Sequence, residues 1–455
     1  MCTAKKRGQL IMKVGFSRKC ITPPLGVGVC GYYEYREVKG VLDDLYVSAV
    51  AFQSGDGRAV IIAADVCMLS SALCDGYRKR VAECCSLSPE AVFINCSHTH
   101  TGPVVGDNES MDIPASPEYD RYFADSLVEC AREAFADLKN AEMSVAEGRA
   151  EGISFVRRFR MKNGNVQTNP GVNNPDVKEA LGTANDKVRF LRIKRERGDT
   201  VVIVNFGTHA DAVGGELVSA DWPGFAVKTV EAALENTRCL FLTGAQGDVN
   251  HINPHPTEAE REGLEYDTFD GVPRGYEHAK HMGRKVAAAV IGNIGKTAPV
   301  TGDAIGFGMK EIFMPSNQEN DRLEEAKKIS ELYLSGRAHE LPYEKMELTT
   351  VVAEAQRIVE LEHGPEGYRF VLSALKIGDV TFAGLPGECF TDIGRTIEKE
   401  CGDGVFVCCL TNGGETYFPT SSAYDEGGYE ARSSRLKKGG DKILTDGMRE
   451  LLLSI

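Results

Sequence analysis

The sequence predicts an α/β protein with mixed β-sheets flanked by helices, and three features carry that expectation. Apolar runs of strand length, such as Ala91–Asn95, Val201–Phe206 and Val380–Leu385, alternate with stretches of helical spacing such as 70–86 and 119–138. Some neighbouring β-rich runs are joined by tight turn signals that pair them as hairpins, whereas others are separated by helices. Several strands also end in loops rich in Gly, amides, histidines and carboxylates, the place where sheet proteins commonly bind ligands. No repeat or low-complexity tract interrupts the chain, so it reads as one continuous unit over 1–455.

With 455 residues, 42% hydrophobic and 26% charged, the chain has ample material for a large core. A net charge of −14 without a basic cluster to offset it excludes nucleic acid as the expected partner. The patch Lys5-Lys6-Arg7 reads as a solvated N-terminus. Fourteen cysteines include no Cys-x-x-Cys, two pairs are adjacent (Cys84-Cys85 and Cys408-Cys409), and most sit in apolar runs as small buried hydrophobes. Reduced thiols in a cytoplasm are the expectation, with neither a secretion signal nor a spanning helix. The sequons at Asn95 and Asn108 then carry no meaning.

In chain order, Gly15–Pro24 reads as a short strand, and Gly26-Val-Gly-Val-Cys-Gly31 reads as turn glycines because it follows Pro23-Pro24 rather than a strand. Leu45–Phe52 and Ala59–Ala64 flank Ser54-Gly-Asp-Gly57 as a hairpin and deliver Asp65, expected to cap the helix over 70–86. The run Ala91–Asn95 feeds Ser97-His-Thr-His100. In extended chain alternate residues share a face, so His98 and His100 point the same way. Phe123, Leu127, Ala131, Phe135 and Leu138 form one stripe of an amphipathic helix.

The cluster Val156-Arg157-Arg158-Phe159-Arg160 is a substrate clamp or a solvated loop. Val188–Lys194 and Val201–Phe206 form a second hairpin that runs into Gly207-Thr208-His209, and Asp221 is placed as the N-cap of the next helix. Cys239–Thr243 ends in the loop Gly244–Asn253. His278 and His281 sit at a surface edge, because Met282, Val286, Ala289 and Val290 take the core side. Two polar-faced helices at 321–334 and 353–361 suggest a helical insertion or lid at about 316–362. Val380–Leu385 delivers Pro386-Gly-Glu388, and Val405–Leu410 leads to Tyr417, Tyr424 and Tyr429.

Four strand-end loops thus offer His98 with His100, His209, Glu388 and Tyr417. Two imidazoles and a carboxylate are the ligand set of a catalytic zinc that keeps a position open, which is hydrolase chemistry. Nothing in the local sequence shows that these loops converge.

Ser97-His-Thr-His100 with Gly102-Pro103, Gly247-Asp-Val249, Pro386-Gly-Glu388 and the pair Tyr417 and Tyr429 occur in the order found in neutral, non-lysosomal ceramidases. Ile21-Thr22-Pro23 and Ser219-Ala-Asp221 also resemble that family, and the resemblance runs from about 14 to 440. It implies a neutral-ceramidase-like catalytic domain with zinc held by His98, His209, Glu388 and Tyr417. It implies further that His100 and Tyr429 face the substrate amide and that Arg157 or Arg158 contacts substrate. Two departures stand out. The family Ser after Gly-Asp-Val is Asn250 here, followed by His251, and the family's C-terminal immunoglobulin-like domain has no counterpart.

The expected activity is zinc-dependent hydrolysis of a linear amide by zinc-activated water, with a small amide or an N-acylated lipid as substrate. His100, Tyr429 and Asn250 would stabilise the oxyanion, and His100 or His251 would relay the proton. An ester or lactone on the same site is the alternative, and a non-catalytic zinc-containing binding protein is the third reading.

Overall fold

The computed structural model describes residues 12–32, 35–106, 116–262, 264–266, 271–343, 345–402, 404–414 and 416–455. The basic patch at 5–7 and the sequon at Asn108 lie outside the described residues. The extended run Lys13–Cys20 (β1) starts a sheet, and the two-residue turn Gly55-Asp56 closes Tyr46–Ser54 (β2) on Gly57–Ala64 (β3) in antiparallel register. The helix Ser71–Cys85 (α1) then carries the chain to Val92–Cys96 (β4), parallel to β3. Ser70, not Asp65, caps that helix: its hydroxyl accepts the Leu73 N–H at 3.2 Å. Asp65 instead accepts the Tyr46 N–H at 2.9 Å, locking the strand end that precedes the site.

Pro117–Ala136 (α2) begins with Pro at its first position, where no amide hydrogen is needed. Lys139–Arg149 (β5), Lys187–Arg195 (β6) and Thr200–Phe206 (β7) follow as antiparallel neighbours. Asp221–Ala233 (α3) leads into Thr237–Thr243 (β8), parallel to β7, and Tyr276–Asn293 (α4) covers the same face. The large sheet has the order β8-β7-β6-β5-β1-β2-β3-β4, with the short Ala298–Pro299 strand added on β5.

A second sheet runs Ile305–Pro315 (β9), Gly367–Ile377 (β10), Val380–Gly384 (β11) and Val405–Cys408 (β12), in that order. Between β9 and β10 the helices Leu323–Leu334 (α5) and Lys345–Glu362 (α6) pack on each other through Ala326, Ile329, Val352, Ala355 and Ile358. Thr391–Cys401 (α7), Tyr429–Ser433 (α8) and Gly440–Leu453 (α9) complete the fold.

The two sheets face each other across one core, where Phe52, Ile61, Phe93, Leu191 and Ile203 meet Leu375, Phe382 and Phe406. Helices α1 and α2 cover the outer face of β1–β4, α3 and α4 that of β5–β8, and α7 with α9 the outer face of the small sheet. The layers are therefore helix, sheet, sheet, helix. Buried asparagines bolt the sheets together at their carboxyl ends. Asn95 Nδ2 donates to the Cys409 carbonyl at 2.6 Å, its Oδ1 accepts from Thr243 N at 2.9 Å, and Asn205 Nδ2 reaches the Val407 carbonyl at 3.0 Å. Loops after β4, β7, β8 and β11 consequently open toward one place.

Asp221 departs from its expected role. It is the first residue of α3 rather than its N-cap, sits at φ +54° and accepts the backbone N–H groups of Val213 and Trp222. Burial pushes its carboxyl up to about 7, against the two hydrogen bonds that favour the anion. A raised carboxyl stabilises the fold fully below the unfolded value near 4 and loses that contribution as pH rises through about 7, a difference of roughly 3 kcal/mol between about pH 5 and 8. Urea midpoints at those two pH values should therefore differ less in Asp221→Asn than in the wild type, where stability falls with rising pH through this group.

Candidate metal centre

The strand β4 stops at Cys96, and the chain turns through His98 at φ +68°. The two histidines thus share a face by way of a left-handed kink, not by continued extension. The kink is pinned by backbone bonds: His98 N donates to the Val66 carbonyl at 3.0 Å, and His100 N to the Ala210 carbonyl at 3.0 Å. Thr99 and Ala210 form a parallel bridge, which is how the loop after β4 meets the loop after β7 that carries His209. From the small sheet, Glu388 and Tyr417 arrive as register partners of a short parallel pair, Glu388–Cys389 with Tyr417–Phe418.

Four side chains meet at this point. Glu388 Oε2 lies 3.3 Å from His98 Nε2 and 3.0 Å from His209 Nε2, and the Tyr417 hydroxyl lies 3.5 Å from His209 Nε2. Donors held about 2.1 Å from one tetrahedral metal ion stand about 3.4 Å apart, so these separations suit a single small cation. The tautomers suit it too. His98 Nδ1 is 2.9 Å from the Cys67 carbonyl, and His209 Nδ1 is 2.9 Å from that of Gln246 and 3.1 Å from that of Val249. Each Nδ1 therefore carries the proton, and each Nε2 offers its lone pair inward, with its ring fixed by backbone.

The electrostatics are those of a compensated cluster. Burial alone would raise the Glu388 carboxyl, yet the imidazoles of His98 and His209 hold it well below the usual carboxylate range. Burial disfavours charge on His98, but Glu388 outweighs it and raises that histidine. His209 is lowered by burial and by the adjacent Arg157. Burial and Glu388 push the Tyr417 phenol well up, so without a metal ion it stands in the site as a neutral hydroxyl.

His100 stands beside the cluster, its Nε2 3.3 Å from His98 Nε2 and its Nδ1 buried without a partner. Burial and the neighbouring His98 keep it neutral, well below the ordinary histidine value. Its ring meets the edge of Tyr32 at 5.3 Å, and a Cβ on Gly31 would lie 2.7 Å from its Cγ. Gly31 is thus required by close approach to His100, a role beyond the turn expected from the sequence. Tyr429 packs edge-on against Tyr417, with ring centroids 5.7 Å apart.

The other candidates divide. Arg157 and Arg158 are both buried, which removes the solvated-loop alternative. Arg157 turns to the cluster, with Nη1 3.1 Å from His209 Nε2 and Nη2 donating to the Tyr417 hydroxyl at 3.1 Å. Arg158 turns away to the Gly427 carbonyl at 2.8 Å and to Glu426 at 3.1 Å. Asn250 spends its carboxamide on Asn169 Oδ1 at 3.0 Å and on the Ile252 N–H at 3.1 Å. His251 is engaged at both ring nitrogens, by Asp211 at 2.9 Å and by the Pro273 carbonyl at 2.7 Å. Both partners are acceptors, so both ring nitrogens donate, and although burial opposes it, Asp211 raises His251.

Two residues near the cluster escaped the sequence reading. Gln246 Nε2 is 3.5 Å from Glu388 Oε2, and Glu430 is fully buried against Arg157. Gln246 lies in the amide-rich loop after β8, and Glu430 directly follows Tyr429; those positions were the available signals. His278 and His281 stack on each other at 6.2 Å on α4, with His281 exposed.

Two imidazoles, a carboxylate and a phenol converging at strand ends of a layered α/β protein define a candidate catalytic metal centre. The profile of the neutral/alkaline non-lysosomal ceramidases (N-terminal region) matches residues 12–311, and the chain belongs to that family. The crystal structure of neutral ceramidase from Pseudomonas aeruginosa shares the fold, with a TM-score of 0.70 and 16% identity over 98% of this chain and 75% of that one. A structure of a ceramidase complexed with C2 gives a TM-score of 0.71 and 14% identity, again over 98% of this chain and 75% of that one. No curated protein matches the chain.

Proposed function

We propose that this protein is a zinc-dependent hydrolase of linear amide bonds, with N-acylated lipids of the ceramide type as its substrate class. The observation that carries the reading is the set of inward-facing donor atoms of His98, His209, Glu388 and Tyr417, spaced for one cation, in a chain of the ceramidase family. When bound, zinc would bring the pKa of water to near neutrality and polarise the substrate carbonyl.

The chain's own residues do the rest. Neutral His100, whose Nε2 stands 3.3 Å from His98 Nε2 beside the converging donors, takes the proton released on attack and returns it to the leaving nitrogen. Tyr429, beside Tyr417, donates to the developing oxyanion. Helices α5 and α6 serve as a cover for the acyl chain: Arg357 Nη1 donates to the Arg432 carbonyl at 3.0 Å and Glu360 pairs with Arg435 at 3.3 Å, tying α6 to the segment that carries Tyr429. The thiol-rich composition suits a cytoplasmic setting.

The test is fatty-acid release from a short-chain fluorescent ceramide by zinc-loaded protein, with a matched ester alongside. Ceramide cleavage supports the reading. Ester cleavage alone would move the activity to an esterase on the same site. Stoichiometric zinc with neither product would discard both substrates.

A further inference from the structure

Glu430 is a fully buried carboxylate beside Arg157, yet neither the strand-end pattern nor the family resemblance gives it a role. Its Oε1 accepts the Arg157 Nε–H at 2.7 Å, and its Oε2 accepts the Thr168 hydroxyl at 3.1 Å and lies 3.6 Å from Arg158 Nε. Arg157 has five N–H donors, and four have partners: Glu430, His209 Nε2, the Gly247 carbonyl at 2.8 Å and the Tyr417 hydroxyl. The guanidinium also lies against the Tyr417 ring, 5.5 Å from its centroid.

An imidazole Nε2 has a single lone pair, so the contact of Arg157 with His209 gives way to a metal ion. A phenol oxygen has lone pairs for both Arg157 and a metal. The durable link therefore runs from Glu430 through Arg157 to Tyr417.

We infer that Glu430 is a positioning residue that holds the Arg157 guanidinium against the Tyr417 oxygen and so fixes Tyr417 as a metal ligand, although Glu430 touches neither metal nor substrate. The inference rests on the metal-centre reading proposed above. Arg157 thereby acts first as an outer partner of a ligand, and once the His209 contact yields to the metal both Nη1–H groups remain for substrate. Outer partners of this kind typically change metal affinity by 10–100-fold when removed.

The experiment uses the full chain loaded with copper(II), in which a coordinated phenolate gives a ligand-to-metal charge-transfer band, together with zinc affinity measured by chelator competition. Tyr417→Phe should abolish the band, which assigns it. Glu430→Gln should shift or weaken the band and loosen zinc by about 10–100-fold. In an Arg157→Met background, Glu430→Gln should have no further effect on either readout, because the carboxylate acts only through the guanidinium. Should the unpaired arginines of Glu430→Gln prevent folding, Glu430→Asp retains the charge, retracts it by one methylene and should give a smaller shift of the same sign. An unchanged band and zinc affinity in a folded Glu430 variant, or an undiminished effect in the Arg157→Met background, overturns the inference while leaving the metal centre standing. A wild-type protein without a Tyr417-dependent band overturns Tyr417 ligation and this inference together.

Discussion

Glu388→Ala is expected to abolish both zinc retention and hydrolysis, with a loss in kcat/KM well beyond the 10–100-fold typical of outer-partner substitutions. The reason is that one oxygen, Oε2, stands within 3.3 Å of two imidazole nitrogens. Alanine would remove the sole carboxylate among the converging donors and leave His98 and His209 facing each other in a buried space. The two imidazoles and the Tyr417 oxygen would remain, one ligand short of the four converging donors and without the carboxylate that compensates the ion's charge. The variant should also change the metal-free protein. Glu388 is held as a carboxylate by His98 and His209, and removing one partner of a buried, charge-compensated cluster costs roughly 3–5 kcal/mol. Thermal melts of metal-free wild type and variant would show that cost, and zinc content after dialysis would show the loss of the ion. A Glu388→Ala protein that retains one zinc and turns over at the wild-type rate would falsify the assignment of the centre.

Much of this site is legible in the sequence because its ligands stand where apolar strands end. The runs before His98, His209 and Glu388 are each a buried strand, and the side chain beyond the last apolar residue falls at the carboxyl end of a sheet. What the sequence does not show is which ends meet. His98 comes to His209 through the Thr99–Ala210 bridge, and Glu388 to Tyr417 through a two-residue parallel pair. Those pairings depend on sheet order, which local periodicity leaves undetermined. Arg157 and Glu430 make the same point over a separation of 273 residues: a basic cluster before turn signals reads equally as a clamp or a solvated loop until the chain returns with a carboxylate to bury it.

Asp65 and Asp221 were misassigned for a related reason. Aspartate is favoured both as a helix cap and as an acceptor for stray backbone donors, and only the fold shows that Tyr46 and Val213 offer such donors. Gly31 reads as a turn glycine until His100 is seen against it.

The identity of the proton carrier follows from which ring reaches the converging donors. His100→Ala should retain zinc and lower kcat by about 10²–10⁴-fold, the range of a general acid–base group. His251→Asn should behave oppositely. Its ring spans Asp211 and the Pro273 carbonyl and holds no lone pair for a reacting proton, so the substitution should cost stability, with kcat in the folded fraction changed by less than about 10-fold. Asn250→Ala sharpens the contrast. The carboxamide supports Asn169, which stands at φ +50° immediately after the short strand Val166–Thr168 and donates its N–H to the Arg157 carbonyl at 2.8 Å, so its loss should raise KM more than it lowers kcat. A fall in kcat of about 10²–10³-fold, the effect of removing an oxyanion donor, would instead place Asn250 at the developing charge. Measuring kcat, KM and unfolding midpoints for the three variants on one amide substrate separates these roles. Chemistry should track with His100, scaffold with His251 and loop placement with Asn250, since the His100 ring places its Nε2 3.3 Å from His98 Nε2, beside the converging donors.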